Sequence, residues 1–463
     1  MSTPLQSPLR GPTRVFAAVL AMLASFALSI QSAAAQSILR DAETEALLNE
    51  MAAPLVEAAG LEPDNVQMVL INDRSINAFV AGGQIVYIHA GLIEAADTAN
   101  EVQGVIAHEL GHITGGHINR FGEGAQNASN ISILSLLLGV GAALAGAGDA
   151  AIGAVLAGQR AALGNLLAFS RVQEGSADAA GAEYLSNAGI SGRGSLAFFY
   201  RLQGEASRRG IRTTDDSEFT RTHPLTSDRI ARLRESYEAD PAWDAPDDPD
   251  IQARFVLAKA KLYGFLARPQ HTLNRFPESD QTMPARYARA YAYHKEALIE
   301  EALTEADALL AAEPYNPYFL ELKGQILLES GRPTDALTPL REATELTQHQ
   351  PLIASMFGHA LIATEDEENF AEAERVLRAA VARDRFNPFA WYQLGVVYAA
   401  RGDVPRARLA SAEQQVMNRR YPEAIRNAQA AEAGLPVGSP DWIRAQDISL
   451  QARAELERVR DSR

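Results

Sequence analysis

The chain has 463 residues, enough for two or three domains, and its 47% hydrophobic and 22% charged content is that of a globular protein, not a disordered one. It has no cysteine, which excludes a disulfide framework, a thiol nucleophile, a cysteine-ligated zinc or iron–sulfur site and a lipid-modified N-terminal cysteine. A net charge of −16 repels phosphate backbones and argues against a nucleic-acid partner.

Residues 1–14 carry Arg10 and Arg14 and no acid, and residues 15–30 form an uncharged apolar run. Ser32-Ala33-Ala34-Ala35 then supplies small residues before Gln36. Basic, apolar, small is the order of a secretory signal peptide over residues 1–35, cleaved before Gln36. The run is short for a membrane anchor, which needs ~20 residues. An exported chain without cysteine fits a bacterial periplasm.

Residues 41–59 place Leu47, Leu48, Met51, Leu55 and Val56 at helical spacing, with Gly60 as the cap. Short β-rich runs at 65–71 and 84–88 enclose Asn77-Ala78-Phe79-Val80 and the turn pair Gly82-Gly83, a hairpin signal. Thr98 and Glu101 form a capping box that opens a helix whose buried stripe is Val102, Val105, Ile106, Leu110 and Ile113. Residues 131–147 are apolar and uncharged, and after Asp149 a second apolar run reaches only to Gln159-Arg160. A helix is predicted over 171–188, stopped by Gly189. Residues 240–250 hold three prolines and five aspartates, the composition of a linker, and divide the mature chain into units at 36–240 and 250–463.

The second unit repeats. Pro317, Pro351 and Pro388 each open a helical segment, Gly324, Gly358 and Gly395 follow seven residues later, and Ala336, Ala373 and Ala407 come at matching offsets once three extra residues near 365–369 are allowed. A weaker copy begins near Met283, with Ala290 and Ala302. The clearest copy, Trp391-x-x-Leu394-Gly395-x-x-Tyr398…Ala407, resembles the tetratricopeptide repeat, a helix–turn–helix unit of about 34 residues. Residues 441–458 suit a terminal capping helix. The fold expected is mostly α: an α+β unit with a small β-sheet, then an all-α repeat solenoid.

The chemistry concentrates in His108-Glu109-Leu110-Gly111-His112. On a helix the two histidines lie one turn apart on one face and can bind a single Zn²⁺, with Glu109 within reach of a water beside it. A catalytic zinc needs a third protein ligand and an open position. His117 stands one residue short of a known three-histidine pattern, whose place is taken by Ile118, and is expected to pack or hydrogen-bond nearby. Glu174 and Asp178 share a face of the later helix: Glu174 can ligate the metal while Asp178 accepts the free N–H of a ligand histidine and fixes its tautomer.

These two motifs, with Asn77-Ala78-Phe79, Gly82-Gly83 and Gly91-Leu92, resemble the HtpX-like family of zinc metallopeptidases, and the signal peptide and repeats narrow the likeness to its periplasmic BepA-like branch. The resemblance implies a zincin-like fold with His108, His112 and Glu174 as ligands of one Zn²⁺ and Glu109 as base. Thr222-His223-Pro224-Leu225…Arg229 also resembles a family segment near the active site. His223 then either stabilises the oxyanion or occupies the open zinc position at rest; the plainer alternative is a surface loop histidine.

Some members of that family span membranes. One crossing at 131–147 would separate Glu174 from His108, and the second run is too short for a return crossing. Residues 131–158 are therefore read as a lid over the cleft, buried against protein in preference to touching the membrane surface. The expected function is a periplasmic zinc endopeptidase acting on unfolded or misassembled envelope proteins, with an envelope protein partner on the repeats and a role in outer-membrane assembly implied by the resemblance alone. The strand at 84–88 is expected to pair with an extended substrate. The competing reading is a repeat-based adaptor or chaperone in which proteolysis is minor or autoinhibited.

Overall fold

The computed structural model describes residues 38–117, 131, 134–135, 148–208, 223 and 226–461. The expected signal peptide and half of the expected lid fall outside the described residues. Among the described residues no helix is long and apolar enough to cross a membrane.

Helix α1 (Ala42–Ala58) starts where the Asp41 side chain accepts the Thr44 N–H. It buries Leu47, Leu48, Met51 and Leu55 in the first core. A three-stranded sheet follows: β1 (Gln67–Ile71), β2 (Ala78–Ala81) and β3 (Ile85–His89). β2 and β3 form the expected antiparallel hairpin, turning at Gly82 and Gly83, whose φ values of +66° and +107° suit glycine. β1 pairs with β3 in parallel, so the order is β1-β3-β2. This overturns the expectation for 84–88: that strand lies between two neighbours and has no edge to offer. The outer side of β1 is partly covered by Ile38 and Leu39, which leaves β2 as the open edge among the described residues.

Helix α2 (Ala90–Ala95) crosses the chain so closely that a Cβ at Gly91 would meet the Arg74 carbonyl oxygen at 2.2 Å. Helix α3 (Ala99–Thr114) is capped by Thr98 as predicted, and Glu101 reaches back to the Asp97 N–H. Its whole length from Ala99 to His112 is buried, so α3 is a central helix and not an amphipathic one resting on a surface. Helix α4 (Gly148–Asn187) begins far earlier than the predicted 171. Helices α5 (Arg193–Arg208) and α6 (Ser227–Glu238) complete the first unit.

Residues 240–250 are not a free tether. Asp240 caps a 3₁₀ turn at Pro241–Asp244, Asp248 caps helix α7 (Pro249–Leu266), and Trp243 packs on the first core. From α7, Phe255, Ala258 and Leu262 join that core while Leu257 joins the core of the repeats. After a short helix α8 (Pro269–Arg275) come the pairs α9 (Met283–Lys295) and α10 (Ile299–Ala312), α11 (Pro317–Glu329) and α12 (Pro333–Leu346), α13 (Pro351–Ala363) and α14 (Glu367–Arg383), and α15 (Pro388–Ala400) and α16 (Val404–Met417). Helices α17 (Tyr421–Gly434) and α18 (Pro440–Asp461) close the array. The repeated prolines sit in the first turn of their helices, where no hydrogen bond is lost. The repeated glycines admit the partner helix: a Cβ at Gly324 would strike Leu340, and one at Gly358 would strike Leu377.

Candidate metal centre

Three pieces of chain converge on one point. α3 carries His108, Glu109 and His112, α4 carries Glu174 and Asp178, and His223 enters just ahead of α6. Small residues let α3 and α4 touch: a Cβ on Gly111 would lie 2.6 Å from the Ala177 carbonyl, and one on Gly181 would lie 3.0 Å from Ala107. Gly111 thus sets the gap between the histidine pair and Glu174. We expect Gly111→Ala to lower stability by about 1–3 kcal/mol through overpacking and to weaken metal retention together with it, read by thermal unfolding and metal content. Unchanged values of both would show that α4 shifts without cost.

The Nε2 atoms of His108 and His112 are 3.2 Å apart. Glu174 Oε2 lies 3.5 Å from His108 Nε2 and its Oε1 3.4 Å from His112 Nε2. His223 Nδ1 is 3.3 Å from His108 Nε2 and 3.1 Å from Glu174 Oε1. Ligand atoms about 2.0–2.1 Å from a tetrahedral ion stand about 3.3–3.4 Å from one another, close to these spacings, and the four donors all lie within 4.8 Å of one another, as suits one small cation. The donor set of imidazoles and a carboxylate suits zinc chemistry.

Beside them, both carboxylate oxygens of Glu109 are buried without a hydrogen-bond partner among the described residues, and Oε1 is 3.5 Å from His223 Nε2. A buried carboxylate left this way is costly unless a water or ion completes it. The residues present therefore fit a metal with an attendant water.

Outer contacts orient the donors. His108 Nδ1 is 3.0 Å from Asp178 Oδ1, and His112 Nδ1 is 2.9 Å from Nδ1 of His117. His223 Nε2 donates to the Ala78 carbonyl at 3.3 Å, which holds the ring with Nδ1 towards the cluster. Ala78 belongs to β2. Because the Asn77 carbonyl takes the His89 N–H, the alternate residues Ala78 and Val80 aim their backbone groups away from β3, towards the side of the cluster.

Arg229, on α6, is 3% exposed and donates through Nε and Nη2 to both oxygens of Asp178, each at 2.7 Å, while its Nη1 is 3.0 Å from Glu174 Oε2. Arg229 ends the Thr222-His223-Pro224-Leu225…Arg229 segment that resembles a family stretch near the active site, but its partners are not assigned from sequence. The available signal was indirect: two acids turned inward on one helix require a buried cation, but nothing in the pattern says which.

Burial opposes charge throughout the cluster, and the contacts reverse it selectively. Against burial, Asp178 and then Glu174 push the His108 pKa up to about 10. His112 is pushed down, foremost by burial. Burial would raise both acids, but His108, His112 and His223 hold Glu174 well below the usual carboxylate range, and Arg229 with His108 does the same for Asp178. Without an ion the cluster keeps a cation on His108 between ionised acids.

Residues 39–237 match the model of peptidase family M48. These residues carry a peptidase M48 domain. The enzyme is accordingly a metalloprotease, followed by tetratricopeptide-type repeats. It is 26% identical over 422 residues to the beta-barrel assembly-enhancing protease of Escherichia coli (strain K12), covering 89% of this chain and 84% of that one. Metalloprotease LoiP of the same organism is 30% identical over 182 residues, 39% of this chain and 65% of that one. Of solved structures, the TPR protein YrrB aligns with 38% of this chain and 91% of its own at 21% identity and a TM-score of 0.31.

Proposed function

We propose that the chain is a periplasmic zinc endopeptidase, exported by a signal peptide over residues 1–35, that cleaves misfolded or stalled envelope proteins in the quality control and assembly of outer-membrane proteins. The observation that carries this is the tetrahedral spacing of His108, His112, Glu174 and His223 atoms beside the unpartnered buried Glu109. The resemblance to a protease named for β-barrel assembly supports the cellular role.

In this reading His108, His112 and Glu174 hold one zinc ion. The ion, when bound, supplies Lewis acidity that polarises the scissile carbonyl and acidifies water at neutral pH. Glu109 takes the proton of the attacking water and delivers it to the leaving amine. Asp178 fixes His108, and His117 fixes His112. The β2 edge at Ala78 and Val80 pairs with the backbone of an extended substrate, which reads little side-chain sequence and suits unfolded chains. His223 would either occupy the open zinc position at rest or stabilise the developing oxyanion.

That seat of His223 favours a second reading, an autoinhibited form in which the repeats act as an adaptor and cleavage is occasional. Removal of metal tests the main one. The purified chain should carry about one zinc ion, lose casein cleavage on dialysis against a chelator and regain it with zinc. Full cleavage by chain shown to be metal-free would end the zinc assignment.

A further inference from the structure

A cavity of about 270 Å³ lies apart from the metal centre, where the start of the chain meets the repeats. That is below the ~300–1,000 Å³ of small-molecule sites and fits one long side chain. Its walls come from the start of α1, from α7, and from α9, α11, α13 and α15, the first helices of four successive helix pairs. Leu262, Tyr291, Leu352, Met356 and Phe389 make it apolar, and Leu39 and Arg40 lie along the side nearest the peptidase unit. The charged groups on its wall are Arg40, Asp41, Lys261 and Glu321.

The ionic pairing around the cavity is unequal. Lys261 is shared between Asp41, at 2.5 Å, and Glu43, at 3.3 Å. Arg40 is shared between Glu45, at 2.6 Å, and Asp384, at 3.0 Å. Both cations at the cavity are therefore each committed to two acids. Glu321 is half-buried on the wall and has no hydrogen-bond or ion-pair partner among the described residues. An apolar shaft with one unmatched carboxylate is the complement of a side chain with an aliphatic stem and a cationic head, which buries its methylenes only where the head meets an anion. The half-buried Met356 and the rings of Tyr291 and Phe389 add an adaptable wall and faces attractive to a cation.

We propose that this cavity binds a lysine or arginine side chain of an extended segment of a partner protein, held by Glu321 among the apolar residues of the repeats. Burial, reinforced by Asp41 and Glu43 and eased by Lys261, pushes the Glu321 carboxyl up to about 7, and a cation seated against it relieves that strain. The inference does not depend on the zinc reading, because no residue of the metal centre lines the cavity.

The test is fluorescence anisotropy on the full-length holoenzyme. The probes are blocked, labelled eight-residue peptides of leucine and phenylalanine with one central lysine, arginine, norleucine or glutamate. Peptide integrity is checked by mass spectrometry. We expect the lysine and arginine peptides to bind at least about tenfold tighter than norleucine, as for a charge-assisted contact, with glutamate weakest. Glu321→Gln should bring lysine to the norleucine level while casein cleavage and thermal stability hold. Equal binding of lysine and norleucine overturns the proposal, as does a lysine preference that survives Glu321→Gln. Binding that emerges only after removal of residues 1–37 also overturns it, and makes the cavity the seat of the chain's own N-terminal segment.

Discussion

Replacing Glu109 by glutamine should reduce peptide hydrolysis by roughly 10²–10⁴-fold and leave bound zinc unchanged. The size follows from what a general base contributes, about 3–5 kcal/mol of barrier. Glutamine keeps the shape of the side chain but cannot take a proton from water. Glu109 stands outside the tetrahedral set, so metal content should hold. Its burial sharpens the expectation: neither oxygen has a hydrogen-bond partner among the described residues, and the one charged contact, His223 Nε2 at 3.5 Å from Oε1, is long, so little structure is lost on substitution. The measurements are casein cleavage, zinc by mass spectrometry and thermal unfolding of wild type and variant. Loss of zinc together with activity would make Glu109 a structural member of the site. Cleavage at the wild-type rate would remove it from the mechanism. The same variant separates the two cellular readings. A protease requires it to fail in rescuing a deletion strain, whereas full rescue by a chain that no longer cleaves identifies an adaptor.

The legible parts of this molecule are those fixed by local spacing. Two histidines four apart on a helix must share a face, so His108 and His112 could be paired from sequence alone. The same step paired Glu174 with Asp178. Gly82-Gly83 between alternating runs gave the β2–β3 hairpin, and three columns of proline, glycine and alanine gave the repeats. Non-local features were not legible. β1 joins β3 in parallel across a long connection, and no local signal placed β3 in the middle of the sheet. Helix α4 starts at Gly148 because a Gly/Ala-rich apolar stretch can be helical without showing a periodic stripe. Residues 240–250, read as a linker, hold local structure for a physical reason. Proline in the first turn and aspartate at the cap are the chemistry of helix starts as well as of linkers, and Asp240-Pro241 and Asp248-Pro249 are two such starts. Arg229 reaches Asp178 and Glu174 because α6 docks on α4; the resemblance put its segment near the active site, but neither segment shows these partners.

That contact separates two variants which remove opposite charges from one cluster. Glu174→Ala deletes a corner of the tetrahedron but leaves Arg229 with both oxygens of Asp178. We expect zinc affinity to fall by more than the ~10–100-fold that the loss of an outer partner costs, while the metal-free protein stays folded. Arg229→Met keeps every donor and strips the counter-charge from two buried acids. Breaking a buried pair on one side costs about 3–5 kcal/mol, because the remaining charges stay desolvated. Zinc, held by Glu174, replaces part of the lost positive charge, so this variant should depend on metal for its fold as wild type does not. Its midpoint of thermal unfolding should drop in chelator and recover as zinc is added, with the recovery growing with free zinc. Calorimetry with and without chelator reads this directly. Equal sensitivity of both variants to chelator would mean that Arg229 acts only as a spacer between α6 and α4. Stoichiometric zinc in Glu174→Ala would place the third ligand elsewhere and undo the four-cornered site.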